Sequence, residues 1–224
     1  MNPTFISRVF EKLSRRFSSF SLETYFNSIY QQNLFNGIDS RSGEGSDLKQ
    51  TETIREQIPK IMEQFNIKSI GDLPCGDFYW MSMVDLNDVQ YRGYDIAPAL
   101  ISDLNLKYGS STFEFQQLNI VSEIPKRHDL IICRDLLVHL SFNDAKRALE
   151  NIQKSGTKYL LTTTFPNRLQ NIDLVYSSGN VGWYPINLDL HPFNLSNPIR
   201  MINENCSEGA GLFADKSLAL YELN

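Results

Sequence analysis

From Lys68 onward the chain alternates short apolar runs with segments long enough to carry a helix. Strand-like runs fall at 69–73, 89–94, 112–118, 129–133 and 158–164, each pair separated by a crossover-length connection. Strands joined in this way lie parallel and need cover on both faces, which restricts the chain to an α/β, doubly wound, mostly parallel sheet. Two further runs, 199–204 and 217–223, are joined by the glycine-containing segment GAGLFAD and predict a terminal antiparallel pair. The clearest crossover helix starts at Ser141, a cap with Asp144 at the third helical position, and runs through Phe142, Ala145, Ala148, Leu149 and Ile152 to a stop at Gly156. An earlier helix is expected from Thr53, where Glu56 stands at capping-box spacing. Ile54, Ile58, Ile61, Met62 and Phe65 form its buried stripe, and Pro59 kinks or restarts it.

Charge and cysteine usage narrow the function. A net charge of −5 over 224 residues offers no extended basic field for a phosphate backbone, so nucleic acid is disfavoured as a partner. Cys75, Cys133 and Cys206 are far apart with no Cys-x-x-Cys pair, which suggests neither a disulfide framework nor structural zinc and fits a reduced, cytoplasmic setting. No apolar run approaches the roughly 18 residues needed to cross a bilayer, and the first residues lack a signal-peptide core. Phe5, Val9, Phe10, Leu13, Phe17 and Phe20 recur at helical spacing with Arg8, Lys12, Arg15 and Arg16 between them. Such a basic amphipathic helix either lies on an anionic membrane surface or packs on the domain as a lid. The second is preferred, because the segment is short and lacks Trp.

In an open α/β sheet the ligand sits at the carboxyl ends of the strands. The stretch SIGDLPCGD therefore sets Pro74, Cys75, Gly76 and Asp77 after the first strand, facing Asp95 at the end of the second. Gly76 allows close backbone approach, and a carboxylate at position 95 accepts both hydroxyl protons of a ribose. That placement suggests a nucleoside-bearing cofactor, the alternative being a plain strand-turn-helix with solvated acids.

Asp72 through Gly76, Asp95, Asn119 and the segment CRDLLVHL resemble the ordered motifs of class I S-adenosylmethionine-dependent methyltransferases. The strings SGEGSD, DLPCGDFYWM, CRDLLVHLS, KYLLTTTFPN and DKSLALYEL together are similar to a bacterial group of small methyltransferases. The resemblance covers about residues 54–224 and implies a Rossmann-like, seven-stranded sheet whose last two strands form an antiparallel hairpin. It implies S-adenosyl-L-methionine as cofactor, with Asp72 and Pro74, Cys75 and Gly76 near the methionine moiety and Asp95, beside Ile96, at the ribose. Asn119 stands where the family usually has an aspartate for the adenine amino group, with Ile120 against the ring; an amide carbonyl accepts that bond equally well. Gly43, Gly45 and Ser46 belong either to a loop folded over the cofactor or to a linker. Trp80 lines the cofactor or packs in the core, and the core is expected. The departures are Pro74 in place of the motif's first glycine and Phe78 in place of its last. The implied division is 1–48 as helical appendage and lid, 49–224 as the methyltransferase domain, and 165–197 as an acceptor-binding insertion.

Methyl transfer from a sulfonium needs an acceptor lone pair held in line in a dry pocket, and a hydroxyl acceptor gains from a general base. His139 is the candidate base, with Asp135 either orienting it across a helical turn or acting as the base itself. The bland alternative is a structural histidine. Arg134 binds an anionic group of the cofactor or substrate, or pairs with Asp135 or Asp77. In the asparagine-rich insertion, Arg168, Asn171, Trp183, Asn187 and His191 are candidate acceptor contacts, because aromatic and amide side chains suit a sugar, glycan precursor or similar polar molecule. The amino-group signature of base methyltransferases is missing after the fourth strand, so O-methylation is preferred. The scattered acids identify no metal site. Two other readings share these features: an NAD-dependent oxidoreductase, though G-x-G-x-x-G is missing, and a non-catalytic binding protein on the same fold.

Overall fold

Seven short runs rich in β-branched, aromatic and leucine residues pair into one sheet. In the computed structural model, which describes residues 21–174 and 182–223, these are β1 (Ser69–Asp72), β2 (Gln90–Asp95), β3 (Phe113–Gln117), β4 (Leu130–Cys133), β5 (Tyr159–Thr164), β6 (Arg200–Asn203) and β7 (Ser217–Glu222). Every strand boundary lies within one residue of that read from the sequence. The order is β3-β2-β1-β4-β5-β7-β6, with β1 to β5 parallel and β7 antiparallel to both β5 and β6. The antiparallel β7 inserted beside β5 departs from the 3-2-1-4-5-6 order of dinucleotide-binding sheets. The basic segment 5–20 and Tyr176 of the insertion lie outside the described residues.

Among the described residues four α-helices accompany the strands: α1 (Leu22–Gln32), α2 (Leu48–Gln64), α3 (Pro98–Tyr108) and α4 (Phe142–Lys154). The α4 expectation is met in detail, since Ser141 Oγ accepts from Asp144 N at 3.2 Å and Gly156 adopts φ +74° beyond the end. For α2 the expectation is corrected: the helix starts at Leu48, about one turn before Thr53, and Pro59 lies inside it without ending it. Its N-cap is Asp47, whose carboxylate turns back to accept the amides of Asp39 and Ser40, so no capping box was there to read.

The two sheet faces carry separate cores. Leu130 and Ile132 of β4 pack with Ile54 and Ile58 of α2 and Leu100 and Leu104 of α3, whereas Ile131 and Cys133 pack with Ala145, Ala148 and Ile152 of α4. Period-two alternation in a strand buried on both sides produces this partition. No helix among the described residues is long and apolar enough to cross a membrane.

Packing is close at Gly71 of β1, where a Cβ would stand 2.6 Å from the buried His128 ring; that ring is also held by Tyr94 Oη at 2.9 Å from its Nε2. Gly71→Ala should therefore cost about 1–3 kcal/mol. The expected result is a lower urea midpoint with an unchanged denaturant slope.

Candidate functional site

The carboxyl ends of β1 to β4 open into a cavity of about 440 Å³. Its walls are the turn 73–76 after β1, Asp95 and Ile96 after β2, Asn119 and Ile120 after β3, and Arg134, Asp135 and His139 after β4. Residues 41–46 and the α1 side chains Phe26 and Tyr30 cover it, and Trp183, Glu208, Phe213 and Lys216 close its far edge. Gly43, Gly45 and Ser46 thus share one cavity with the turn, far away in sequence.

The turn after β1 is the point where that cover is fastened. Gly76 has φ +51°, and a Cβ there would lie 2.3 Å from Ser42 Oγ, so only glycine lets the cover approach. The Asp77 carboxylate accepts from Ser40 Oγ at 2.9 and 3.0 Å, from Arg41 N at 2.8 Å and from Ser42 Oγ at 3.3 Å, while Asp77 N donates to Ser42 Oγ at 3.0 Å. Phe78, at the departure from the glycine motif, holds a left-handed φ of +59°. The strain of about 1–2 kcal/mol is offset by burial of its ring among Tyr91, Tyr108 and Phe115.

Asp95 is buried at the cavity wall and accepts from Ala97 N at 3.0 Å and Gly76 N at 3.3 Å. Burial pushes its carboxyl up to about 6, only partly opposed by these amides. Asn119 Oδ1 accepts from Val121 N at 3.1 Å, leaving one lone pair for another donor. Cys75 lines the cavity as a buried thiol raised by desolvation. Trp80 does both things the sequence allowed, packing in the core and facing the cavity, with Arg134 Cζ 5.6 Å from its ring centre. Asp72 is corrected: it does not line the cavity but lies behind it, accepting from Tyr91 Oη at 2.6 Å, and burial raises its carboxyl to about 7.

After β4 the chain builds a buried ion cluster. Arg134 Nη2 donates to Glu204 Oε2 and to Gly45 O, both at 2.7 Å, and Nη1 stands 3.3 Å from Asp135. Lys216 Nζ lies 2.6 Å from Asp135, 3.9 Å from Glu204 and 3.8 Å from Glu208. Burial pushes the Asp135 carboxyl up, but Lys216 and Arg134 outweigh it and hold it at about 2, where it is a poor base. Asp135 has φ +56°, so no helix passes through it; a single 3₁₀ turn covers Leu137–His139. The expected helical pairing of Asp135 with His139 is therefore corrected, because the carboxylate is turned toward Lys216 and Arg134.

His139 is framed instead by the cover. Phe35 stacks on its ring at 5.5 Å and Phe26 meets it edge-on at 6.1 Å. Burial lowers its pKa, opposed by the Asp135 charge and by the nearby Gly182 backbone. Nδ1 is buried and has no hydrogen-bond partner.

Of the five insertion residues singled out from the sequence, Trp183 alone lines the cavity, in edge contact with Phe213 at 4.6 Å. The others are corrected. Asn187 Nδ2 donates to Pro166 O and Arg168 O, and Asn171 Nδ2 donates to Asn187 O and His191 O, so both amides staple the loop. Arg168 binds Asp215 and the Leu212 carbonyl, and His191 is exposed away from the cavity. Amide side chains that suit a polyhydroxylated ligand suit irregular backbone equally well. Sequence reasoning missed Glu204, Glu208, Lys216 and the clasp role of Asp77. The available signal was Lys216 itself, a charge at the mouth of the otherwise apolar strand SLALYE.

No family model matches the chain, and no curated protein matches its sequence. Solved structures do. A protein described as PigF with SAH is 15% identical over 97% of this chain and 70% of its own, with a TM-score of 0.61. The methyltransferase domain of bacterial CtHen1 is 12% identical, covering 80% of this chain and 100% of its own, with a TM-score of 0.57. Magnesium protoporphyrin IX methyltransferase from Synechocystis PCC 6803, with bound SAH, is 16% identical over 66% and 72%, with a TM-score of 0.50. The likeness is one of architecture: the chain has the Rossmann-like fold of class I methyltransferases.

The clasp makes a direct prediction. Asp77→Ala removes the acceptor for residues 40–42, and each hydrogen bond to a charged group is worth about 1.5–3 kcal/mol. Amide exchange at residues 40–43 should rise at least tenfold and tryptic cleavage after Arg41 should accelerate, with the sheet amides unchanged.

Proposed function

We propose that the protein is an S-adenosylmethionine-dependent methyltransferase that methylates an oxygen of a polar small molecule, a sugar or glycan precursor. The observation that supports this best is the meeting of the Gly76 turn, Asp95 and Asn119 in one cavity beneath residues 42–46. The donor set fits the cofactor. Asp95 would hold the ribose, Asn119 and Ile120 the adenine, and the turn 74–76 with Gly43, Gly45 and Ser46 the methionine end. Ile96 would flank the ribose, and Arg134 acts through the Gly45 carbonyl it positions.

The cofactor supplies a methyl group that is already activated, so the chain's task is to hold an acceptor in line and keep water out. Trp183, Phe213, Phe26 and Phe35 give flat faces on which a sugar ring stacks, and Glu208 offers a hydrogen-bond acceptor for hydroxyls. His139 is the base: burial keeps the imidazole neutral, and the ring takes the hydroxyl proton. Asp135 contributes charge rather than proton transfer. Of the 1–48 appendage, the described residues from Leu22 to Ser46 serve as the cover, and 49–224 is the domain that carries the site, with Trp183 as the insertion's contribution to the acceptor.

Titration calorimetry tests the cofactor assignment: S-adenosylmethionine should bind and NAD should not, and Asp95→Ala should weaken binding roughly 10- to 100-fold. Binding of NAD alone would sink the proposal.

His139→Ala should lower turnover by roughly 10²- to 10³-fold in an assay of S-adenosylhomocysteine release, with cofactor affinity preserved. Because the folded-state pKa is depressed, the base stays deprotonated until the pH drops below the usual histidine value of about 6.5. The acidic limb of turnover should accordingly lie below pH 6.5 in the wild type and vanish in the variant.

A further inference from the structure

The ion cluster after β4 does not balance. Arg134 and Lys216 face Asp135, Glu204 and Glu208, two cations against three anions. Four of the five line the cavity; the fifth, Glu204, has a side chain only 1% exposed and an Oε1 with no hydrogen-bond partner. Across the cavity, Asp95 is held by backbone amides with no cation paired to it, and Asp72 behind it by a tyrosine hydroxyl, with the Arg134 charge acting on Asp72. Arg41 and Glu44 of the cover are exposed and offset one another.

Buried charge without a counterion is costly, and its cost is recovered when a ligand brings the missing charge. We propose that this surplus of buried negative charge makes the cavity selective for the cationic form of its cofactor over the neutral product, with Glu208 and Glu204 as the specificity-determining residues. The inference rests on the methyltransferase reading above. S-adenosylmethionine carries an ammonium, a sulfonium and a carboxylate, a net charge of +1; loss of the methyl cation leaves S-adenosylhomocysteine at zero. The two ligands otherwise differ by one methyl group, so a cavity that holds a fixed negative surplus separates them by charge. Transfer removes the cation that the cluster was balancing, and the product is released from a site that no longer matches it. Burial raises the carboxyls of Asp72 and Asp95, so a cationic ligand that favours their charged forms displaces protons from them.

Calorimetry on the full chain tests it with three ligands: S-adenosylmethionine, S-adenosylhomocysteine and an analogue bearing a protonated amine in place of the sulfonium methyl. Glu208→Gln, which removes one negative charge from the cavity rim at constant shape, should weaken the two cationic ligands relative to S-adenosylhomocysteine by roughly fivefold or more, the scale of one unit charge at an effective dielectric near 20. Equal change for all three ligands, or an amine analogue that follows the neutral product, overturns the proposal. A measurement on the wild type needs no variant: at pH 6.5, in buffers of different ionisation enthalpy, the cationic ligands should release more protons on binding than S-adenosylhomocysteine does. Identical proton release by all three also overturns it. Failure of the wild type to bind any of them would instead remove the methyltransferase reading on which the proposal stands.

Discussion

The Arg134 guanidinium joins four parts of the chain that have no sequence relation to one another. It stands at the end of β4, donates to the Gly45 carbonyl of the cover and to Glu204 beyond β6, pairs with Asp135, and lies over the Trp80 ring. Its side chain is only 4% exposed, so every one of those contacts is made out of water. Glu204 and Asp135 more than offset its burial and keep it charged. A lysine could not replace it, because a point charge on a flexible stem does not satisfy a carboxylate, a carbonyl and an aromatic face at once. The cavity has its present shape because these partners are drawn to one cation.

Much of this was legible before any coordinates. The strand pattern fixes seven strands with boundaries accurate to one residue, because parallel strands buried on both faces must be apolar and short. The α4 cap was legible for a similar reason, since Ser141 and Asp144 act on each other within one turn. The start of α2 was not: Asp47 caps it while its carboxylate is occupied by Asp39 and Ser40, a tertiary use that local spacing does not encode. That the residues after β1, β2 and β3 would meet was readable from a turn and two strand ends, yet Asp72 lies behind the cavity because a strand residue one position before the turn points inward, toward Tyr91.

The far side of the cavity was much harder to read, for a physical reason. Its residues come from the cover, the 3₁₀ turn, the insertion and the β6–β7 connection, whose relative positions are set by long-range packing. Asn171 and Asn187 were singled out for chemistry that they spend on backbone carbonyls, which an irregular loop of this length must satisfy somewhere. Glu204 and Glu208 carried no motif at all, and only the presence of Lys216 and Arg134 gives them meaning.

His139 shows how these strands of argument meet. An imidazole beside a carboxylate is usually read as an oriented base, but here Asp135 is committed to two cations and contributes only its field. The Gly182 backbone, one residue before Trp183, lies near the ring, so the segment that supplies the aromatic wall also borders the imidazole. Phe26 and Phe35 keep water from the ring, and the resulting desolvation keeps it neutral. The same burial that would make a structural histidine inert leaves one unpartnered nitrogen, Nδ1, buried in a ring that lines the cavity. A buried nitrogen without a partner costs stability, and the proposed role of His139 as base is one that such a nitrogen could serve.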